Sequence, residues 1–514
     1  MPTSVAAFVG RTLKGPVNQA VPVGSFGEFQ QHFGGLWQPS TVSYALEQFF
    51  ENGGRRALIV RVVNGARPPS VSLPAGPERL RLVAVNPGSR EYLRASVDYD
   101  GLNGAERDRF NLVVQRVRTA GSELVEDQEI YRRVSVLPTA GRYVADVLLY
   151  SRLVRTADPV PLQRPDRSAG GPGGVAVGYT LSNPDGDDGG PLTDYDIIGA
   201  ARSGTGVFAL EAAPRFNFLC IPPLARERDV GLSTLLVAAR FCRDHQALLL
   251  VDPPASWSSA GAALDALRAW PFRSGSAVMY YPRVQAFDRL RGRVETFGSC
   301  GAAAGMIARA EETWPVWSAA ESEEALLRPG LRPAIAVSES ERARLAKAGV
   351  NTLLSVRGGT RSGGSPRTLA AGGSGVSDWK YLSARRLALL VAASIEEGTR
   401  WVLLEHSGPA TWQRAAAQVE SFLAALAGQG AFAGTAAAES YFVIADERVN
   451  RPQTLAEGKF NLLFGFATSK PGTFDTWLVT HRPGASRVRA VTVNRSATAR
   501  QQVEWEIETS ILRG

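Results

Sequence analysis

Histidine and cysteine are scarce in this chain, with four His and three Cys among 514 residues. A Ser-His-Asp hydrolase needs a base within reach of its nucleophile, and no G-x-S-x-G elbow accompanies His32, His245, His406 or His481. Asp244 and His245, lying between an apolar helical stretch and a strand, read as a polar loop pair. Cys220, Cys242 and Cys300 show no C-x-x-C spacing and are odd in number, which excludes a disulfide framework and an ordinary zinc site. Buried apolar thiols are the expectation. No window approaches the roughly 18 apolar residues of a membrane helix, so no membrane insertion is expected. Met1 to Gly10 lacks the order of a signal peptide, which makes cytoplasmic synthesis the expectation. Dense Lys/Arg runs interleaved with aromatics are missing as well. The net charge of +8 comes from 57 basic residues set against 49 acidic ones. That excludes an obvious nucleic-acid partner and suits an acidic protein partner.

Phosphate cradles and metal loops are equally thin. G-x-x-x-x-G-K-[ST] does not occur, and Gly458-Lys459 is followed by Phe460. Gly204 to Ala209 and Gly171 to Ala176 match G-x-G-x-x-A, but neither stands between a convincing strand and a helix, as a dinucleotide turn must. Asn183, Asp185, Asp187 and Asp188 offer hard oxygen ligands. The glycine position of a calcium loop, however, holds Asp188, and the twelfth position holds Asp194. A solvated loop is expected there. No catalytic, cofactor or metal residue is assigned.

What is present is pattern. Ser4 to Val9 predicts a strand, and Ser25 to Glu28 a capping box opening a helix closed by Gly34-Gly35. Val42, Ala45, Leu46, Phe49 and Phe50 recur at helical spacing, and Ala57 to Val63 reads as a strand buried on both faces. Short apolar runs at Leu80 to Val85, Tyr92 to Val97, Phe110 to Val117 and Tyr143 to Leu149 predict a mainly β region. Strand Phe216 to Ile221, helix Leu232 to Phe241 and strand Ala247 to Val251 argue for a parallel sheet, and Ala277 to Tyr281 and Ala303 to Ala310 extend that stretch. Ser338 to Glu341 forms a second capping box. Helices Ala384 to Glu397 and Trp412 to Leu426 accompany strands at Trp401 to Leu404, Tyr441 to Ala445, Leu462 to Ala467 and Thr476 to Thr480. Arg385-Arg386 opens the first of these helices, with local pairing to Glu396, Glu397 or Glu405 weighed against pairing to a neighbouring subunit. Val503 to Glu508 alternates strictly, with one apolar and one acidic face.

In order, these stretches resemble the tail sheath family of contractile phage tails and related injection machines. The resemblance is carried by Thr3 to Gly10, Lys14-Gly15-Pro16-Val17-Asn18, Phe33-Gly34-Gly35, Phe49-Phe50 and Asn52-Gly53-Gly54. It continues through Asn217 to Pro222, Asp252-Pro253-Pro254, Tyr280-Tyr281-Pro282, Ala304 to Arg309, Gly349-Val350-Asn351, Trp379-Lys380-Tyr381 and Gly398 to Trp401. It implies an α/β and α+β multidomain fold. Residues 1-64 would begin the sheath core, and 65-156 would be an inserted mainly-β domain followed by a flexible Gly/Pro/Asp loop at 157-190. The central α/β domain would span 191-377, a compact α+β C-terminal domain 378-495 and a terminal arm 496-514. It further implies a non-enzymatic homo-oligomer wrapped helically around an inner tube protein, bounded by baseplate and terminator or cap proteins. Contraction would drive the tube through a target envelope.

In the family, terminal arms donate strands to neighbouring subunits. Val503, Trp505 and Ile507, with Val5 and Phe8, are the expected arm residues, and Arg482, Arg487 and Arg489 the expected tube-facing ones. Two departures stand out. The sequence starts almost on the Thr-Ser block, which implies a curtailed N-terminal arm. Gly472 to Asp475 replaces a Pro-Ala-Glu-Phe-like strand, which points to a specialised sheath paralogue. The alternatives are a static baseplate or cap component and, from another class, a nucleotide-dependent α/β enzyme using Asp252.

Overall fold

In a computed structural model, residues 1–157, 159–168, 178–318, 326–357, 359–372 and 378–491 are described. The chain opens with strands β1 (Ala6–Gly10) and β2 (Ala20–Val23), helices α1 (Phe26–Phe33) and α2 (Thr41–Glu51), and strand β3 (Ala57–Arg61). Ser25 caps α1 by accepting from the Glu28 amide, but the Glu28 carboxylate reaches back to the Gly24 amide rather than to Ser25. Every residue of β1 and β3 is buried, as continuous apolar runs require of parallel strands.

The next strands form two smaller sheets. β4 (Ser70–Ala75), β5 (Glu78–Ala84) and β9 (Val154–Thr156) make one. β6 (Leu93–Asp98), β7 (Arg109–Val117), β8 (Val125–Ser135) and β10 (Thr180–Leu181) make the other, and the two share a separate apolar core. Tyr143 to Leu149, expected as a strand, is the helix α3 (Val144–Leu148). Its Val144 and Leu148 are four residues apart and fully buried, a spacing that a seven-residue stretch is too short to reveal. Residues 178–190, expected within a flexible loop, are tied down. β10 pairs with β6, Arg67 bridges to Asp187, and Asp185 accepts from the Ser70 amide at 2.9 Å and hydroxyl at 2.7 Å.

The α/β stretch contributes α4 (Asp194–Ile198), β11 (Phe218–Cys220), α5 (Leu232–Asp244), β12 (Leu248–Val251), α6 (Ala260–Ala269) and β13 (Ala277–Tyr281). A hairpin, β14 (Val284–Asp288) and β15 (Arg293–Phe297), leads into α7 (Cys300–Ala310). The chain continues through β16 (Arg332–Pro333), α8 (Glu339–Lys347), β17 (Val350–Val356) and β18 (Gly359–Gly363). The central sheet runs β18-β17-β13-β12-β11-β1-β3-β2. Its strands are parallel from β17 to β3, with antiparallel β18 and β2 at the edges. Helices α2 and α7 cover one face, and α5, α6 and α8 the other.

The last unit holds α9 (Leu382–Gly398), α10 (Pro409–Gly428), and the antiparallel sheet β19 (Tyr441–Ile444), β20 (Phe460–Phe466), β21 (Asp475–Arg482) and β22 (Ala485–Val491). Its inner face shares one apolar cluster with α2, α7 and the central sheet. Trp401 to Leu404, expected as a strand, is a tight 3-10 turn. Thr399 ends α9 there, and the Trp401 indole donates to Gln418 of α10 at 2.8 Å, which holds the chain against a helix rather than a sheet.

Helices α2 and α7 run side by side with their backbones touching. A Cβ on Gly301 would stand 1.9 Å from the Ala45 carbonyl oxygen, and one on Gly305 would stand 2.3 Å from that of Phe49. Glycine at i and i+4 is therefore a steric requirement of this contact. Gly301→Val should lower stability by about 3 kcal/mol or leave the chain insoluble. Gly261→Ala on α6, where a Cβ would meet only the Ser259 hydroxyl at 3.8 Å, should be neutral or slightly stabilising. Denaturant midpoints of the two variants check this contrast.

Candidate assembly interface

Period-two alternation divides the last sheet into two faces. Leu462, Phe464, Trp477, Val479 and Val488 enter the main core. Leu463 and Leu478 point the other way and cluster with Ile444 and Val449. The register sets Thr480 opposite Arg487, Leu478 opposite Arg489 and Arg482 opposite Ala485. All three expected arginines therefore share the outer face of the β21–β22 hairpin, with Arg482 and Arg487 exposed and Arg489 half-buried. Among the described residues β22 has a partner on one side only, so its other edge presents main-chain donors and acceptors. The expected arm residues Val503, Trp505 and Ile507 lie outside the described residues.

Val5 and Phe8, expected in an inter-subunit arm, are corrected to core residues of the chain's own sheet. Phe8 is fully buried, and β1 is hydrogen-bonded to β3 on one side and β11 on the other, so neither edge of β1 is open. Arg385 and Arg386 do not reach Glu396, Glu397 or Glu405, the local partners expected for them, and are held by other groups of the same chain. Arg385 is buried over the Trp379 ring at 4.1 Å and donates to the Gly275 carbonyl at 3.1 Å. Arg386 ion-pairs with buried Glu311 and donates to the Thr3 carbonyl at 2.8 Å. Both arginines join α9 to the central unit.

The features that suggested chemistry have structural partners. Connections leave β1 and β11 in opposite directions along the sheet, which is where an open α/β sheet offers a ligand crevice. Here the start of α2 fills it. The Ser40 hydroxyl donates to the Arg11 carbonyl, and the Thr41 hydroxyl donates to that of Pro223 at 2.5 Å. Asp252, at the end of β12, accepts from the Cys300 amide at 2.8 Å and so caps α7. Its burial raises its pKa. Gly204 to Ala209 forms 3-10 turns, and Gly171 to Ala176 lies outside the described residues. The Asp185 and Asp188 carboxylates are engaged by Ser70 and Ser89, which fastens the returning chain. Cys220, Cys242 and Cys300 are buried and free. No described helix is long and apolar enough to cross a membrane.

His481 is the most deeply placed histidine. Its Nε2 faces the Thr399 hydroxyl at 2.8 Å and its Nδ1 the Ser486 hydroxyl at 2.7 Å. Thr399 donates its own proton to the Ile395 carbonyl, so the ring donates from Nε2 and accepts at Nδ1, and is neutral.

No protein-family model matches the sequence, and no curated protein does. Solved structures do match, over nearly the whole chain. A sheath tail protein from Listeria innocua aligns with TM-score 0.60 at 12% identity, covering 94% of this chain and 95% of that one. The sheath complex of an extracellular contractile injection system, PVC, in the contracted state aligns with TM-score 0.53 at 14% identity, covering 98% and 93%. The helical sheath of the anti-feeding prophage in its contracted state aligns with TM-score 0.51 at 17% identity, covering 92% of each, and a chain of that prophage's contracted baseplate aligns at 0.55. The chain thus has the mixed α/β fold of contractile-system sheath proteins.

Burial, with the Arg400 charge nearby, pushes the His481 pKa from an ordinary 6.5 down to about 4. A depressed histidine pKa favours the neutral folded form, so stability is full above pH 6.5 and falls as pH drops toward 4. The loss reaches about 3 kcal/mol at most. His481→Gln should flatten the stability profile between these limits, as read from melting temperature against pH.

Proposed function

We propose that this chain is a structural subunit of a contractile sheath, polymerising helically around an inner tube and shortening to drive that tube through a target envelope. The observation that carries this reading is the likeness in fold to sheath chains over more than nine-tenths of the length of both partners. On this reading baseplate and terminator proteins bound the polymer, and it assembles in the cytoplasm. The free energy resides in contacts between subunits rather than in a bound nucleotide. Contraction is a rigid-body passage from a metastable lattice to a denser one. The filled crevice between β1 and β11, with Asp252 engaged as a helix cap, favours this over a nucleotide-dependent enzyme. A specialised paralogue or a static baseplate component remains the second reading, favoured by the departure at Gly472 to Asp475.

Assembly is assigned to strand addition, with the alternating segment Val503 to Glu508 pairing to an open strand edge of a neighbouring subunit. The arginine face of the β21–β22 hairpin is assigned to the inner tube, as Arg482, Arg487 and Arg489 would meet acidic tube residues.

Negative-stain microscopy of the purified chain should show striated hollow tubes or rings. A persistent monomer that turns over a nucleotide or an ester would refute the proposal, and tubes of one invariant pitch would favour the static reading. Deleting the residues after Ser496 should abolish polymers while leaving the melting temperature of the remaining fold unchanged. Polymer of undiminished length after that deletion would rule out the arm role.

A further inference from the structure

The block Lys14-Gly15-Pro16 follows β1 and is used by neither the proposed arm nor the arginine face. Its backbone is fixed from three sides. The Lys14 amide donates to the Phe33 carbonyl at 3.2 Å, and the Thr12 hydroxyl donates to the Lys14 carbonyl at 2.9 Å. Buried Arg61 donates to the Gly15 carbonyl at 2.7 Å. Gly15 has a φ of 104°, and a Cβ there would stand 2.7 Å from the Phe33 ring, so the turn requires glycine. A turn held this tightly aims the Lys14 side chain one way, out of the core and toward the inserted sheets. There its ammonium meets the Glu126 carboxylate of β8 at 2.5 Å, with the two side chains only 12% and 18% exposed.

Around that ion pair the core and the insertion stand apart. A cleft of about 400 Å³ separates Lys14, Pro16 and His32 on the core side from Glu91, Arg116 and Asp127 on the insertion side. Charges of the insertion wall are satisfied within that wall. Arg116 ion-pairs with Glu91 at 2.7 Å and lies 4.0 Å from Asp127. Among the described residues lining the cleft, Lys14 and Glu126 make the ion pair that crosses it. The inserted sheets also have an apolar core of their own. Units with separate cores move relative to one another unless the surface between them is large and apolar. Here the facing walls are polar, so parting them exposes little apolar area and leaves the insertion's charges with their partners. The chain enters and leaves the insertion along residues 62–69 and 183–190, which are bridged to each other at Arg67 and Asp187. Two crossings fastened together give the insertion one axis to turn about rather than two loose tethers.

We propose that the Lys14–Glu126 ion pair is a latch holding the inserted sheets against the core, and that opening it lets the insertion swing as one body to a second position. The motion is of the hinge kind, absorbed by a few residues where the chain crosses between units. This inference goes beyond the sheath reading, since it concerns a single chain and stands whether or not that chain polymerises. In a sheath, the latch gives one subunit two outer shapes to fit two lattices.

The test is a distance measured between the two units of the full-length chain. The native cysteines are buried, so spin labels on Tyr150→Cys in the insertion and Leu236→Cys in the central unit, both at exposed positions, report cleanly. Labelled chains are diluted among unlabelled ones, so that pulsed electron resonance reads only distances within one chain. A single narrow distance is expected in the otherwise unaltered chain at low salt. Glu126→Gln and Lys14→Met should each add a second distance, raising the ratio of second to first position about tenfold through loss of one charge-assisted hydrogen bond. Melting temperature should not change, because neither apolar core is touched. The double variant should go no further than either single one, as expected of two residues that act only through each other. Without any substitution in the latch, about 1 M salt, where charges are screened within about 3 Å, should bring out the same second distance. One unchanged distance under all of these conditions would overturn the proposal. A double variant whose effect is the sum of the two single ones would overturn it as well, because the residues would then act separately.

Discussion

Parallel strands have no tolerance for a wet face, and the whole molecule is arranged around six of them. The strand at residues 6–10 is the pivot. It pairs with 57–61 on one side and with 218–220 on the other, and all of its residues are buried. Alternate side chains enter opposite clusters, Ala6 and Phe8 on one face and Val5, Ala7 and Val9 on the other. Burial on both faces is what makes helices necessary on both, and what makes the α2–α7 pair approach closely enough to need glycine at 301 and 305. Two antiparallel edge strands then close a sheet whose parallel centre could not stand alone.

The same constraint explains how a chain leaves this sheet and comes back. Between 61 and 218 it builds two additional sheets with a core of their own, so the departure and the return must lie side by side. Arg11 joins them by donating to three successive carbonyls, at Asp188, Gly189 and Gly190, each within 3.1 Å. Asp185 and Asp188 complete the seam by accepting from Ser70 and Ser89. A cluster of carboxylates that resembles an ion site in one dimension is, in three, a set of hydrogen-bond acceptors fastening the root of an insertion.

Assembly and catalysis place opposite demands on such a fold. Catalysis at an open α/β sheet uses the crevice above the strand ends, and in this chain that space holds the first turn of a helix. Assembly uses what the fold leaves at its periphery. Among the described residues that periphery holds a strand at 485–491 paired on one side only and three arginines on one face of its hairpin. Buried charge elsewhere serves cohesion, as with Arg385 and Arg386, which join the helix at 382–398 to the central unit.

Periodicity made much of this legible in one dimension. The parallel strands read as continuous apolar runs, the capping box at Ser338 was plain, and blocks such as Ala304 to Arg309 carried the likeness to sheath proteins. Short apolar runs were ambiguous, as at Tyr143 to Leu149 and Trp401 to Leu404, because seven or four residues hold too few turns for one period to exclude the other. Partners of charged side chains were beyond reach too. Arg386 meets Glu311 across 75 residues of chain, and nothing local in either segment announces the other. The amino-acid sequence by itself determined which segments would be buried, since burial follows composition and spacing. Which side chains remain outside to meet another molecule was decided only by the tertiary structure, because exposure depends on everything else that packs around them.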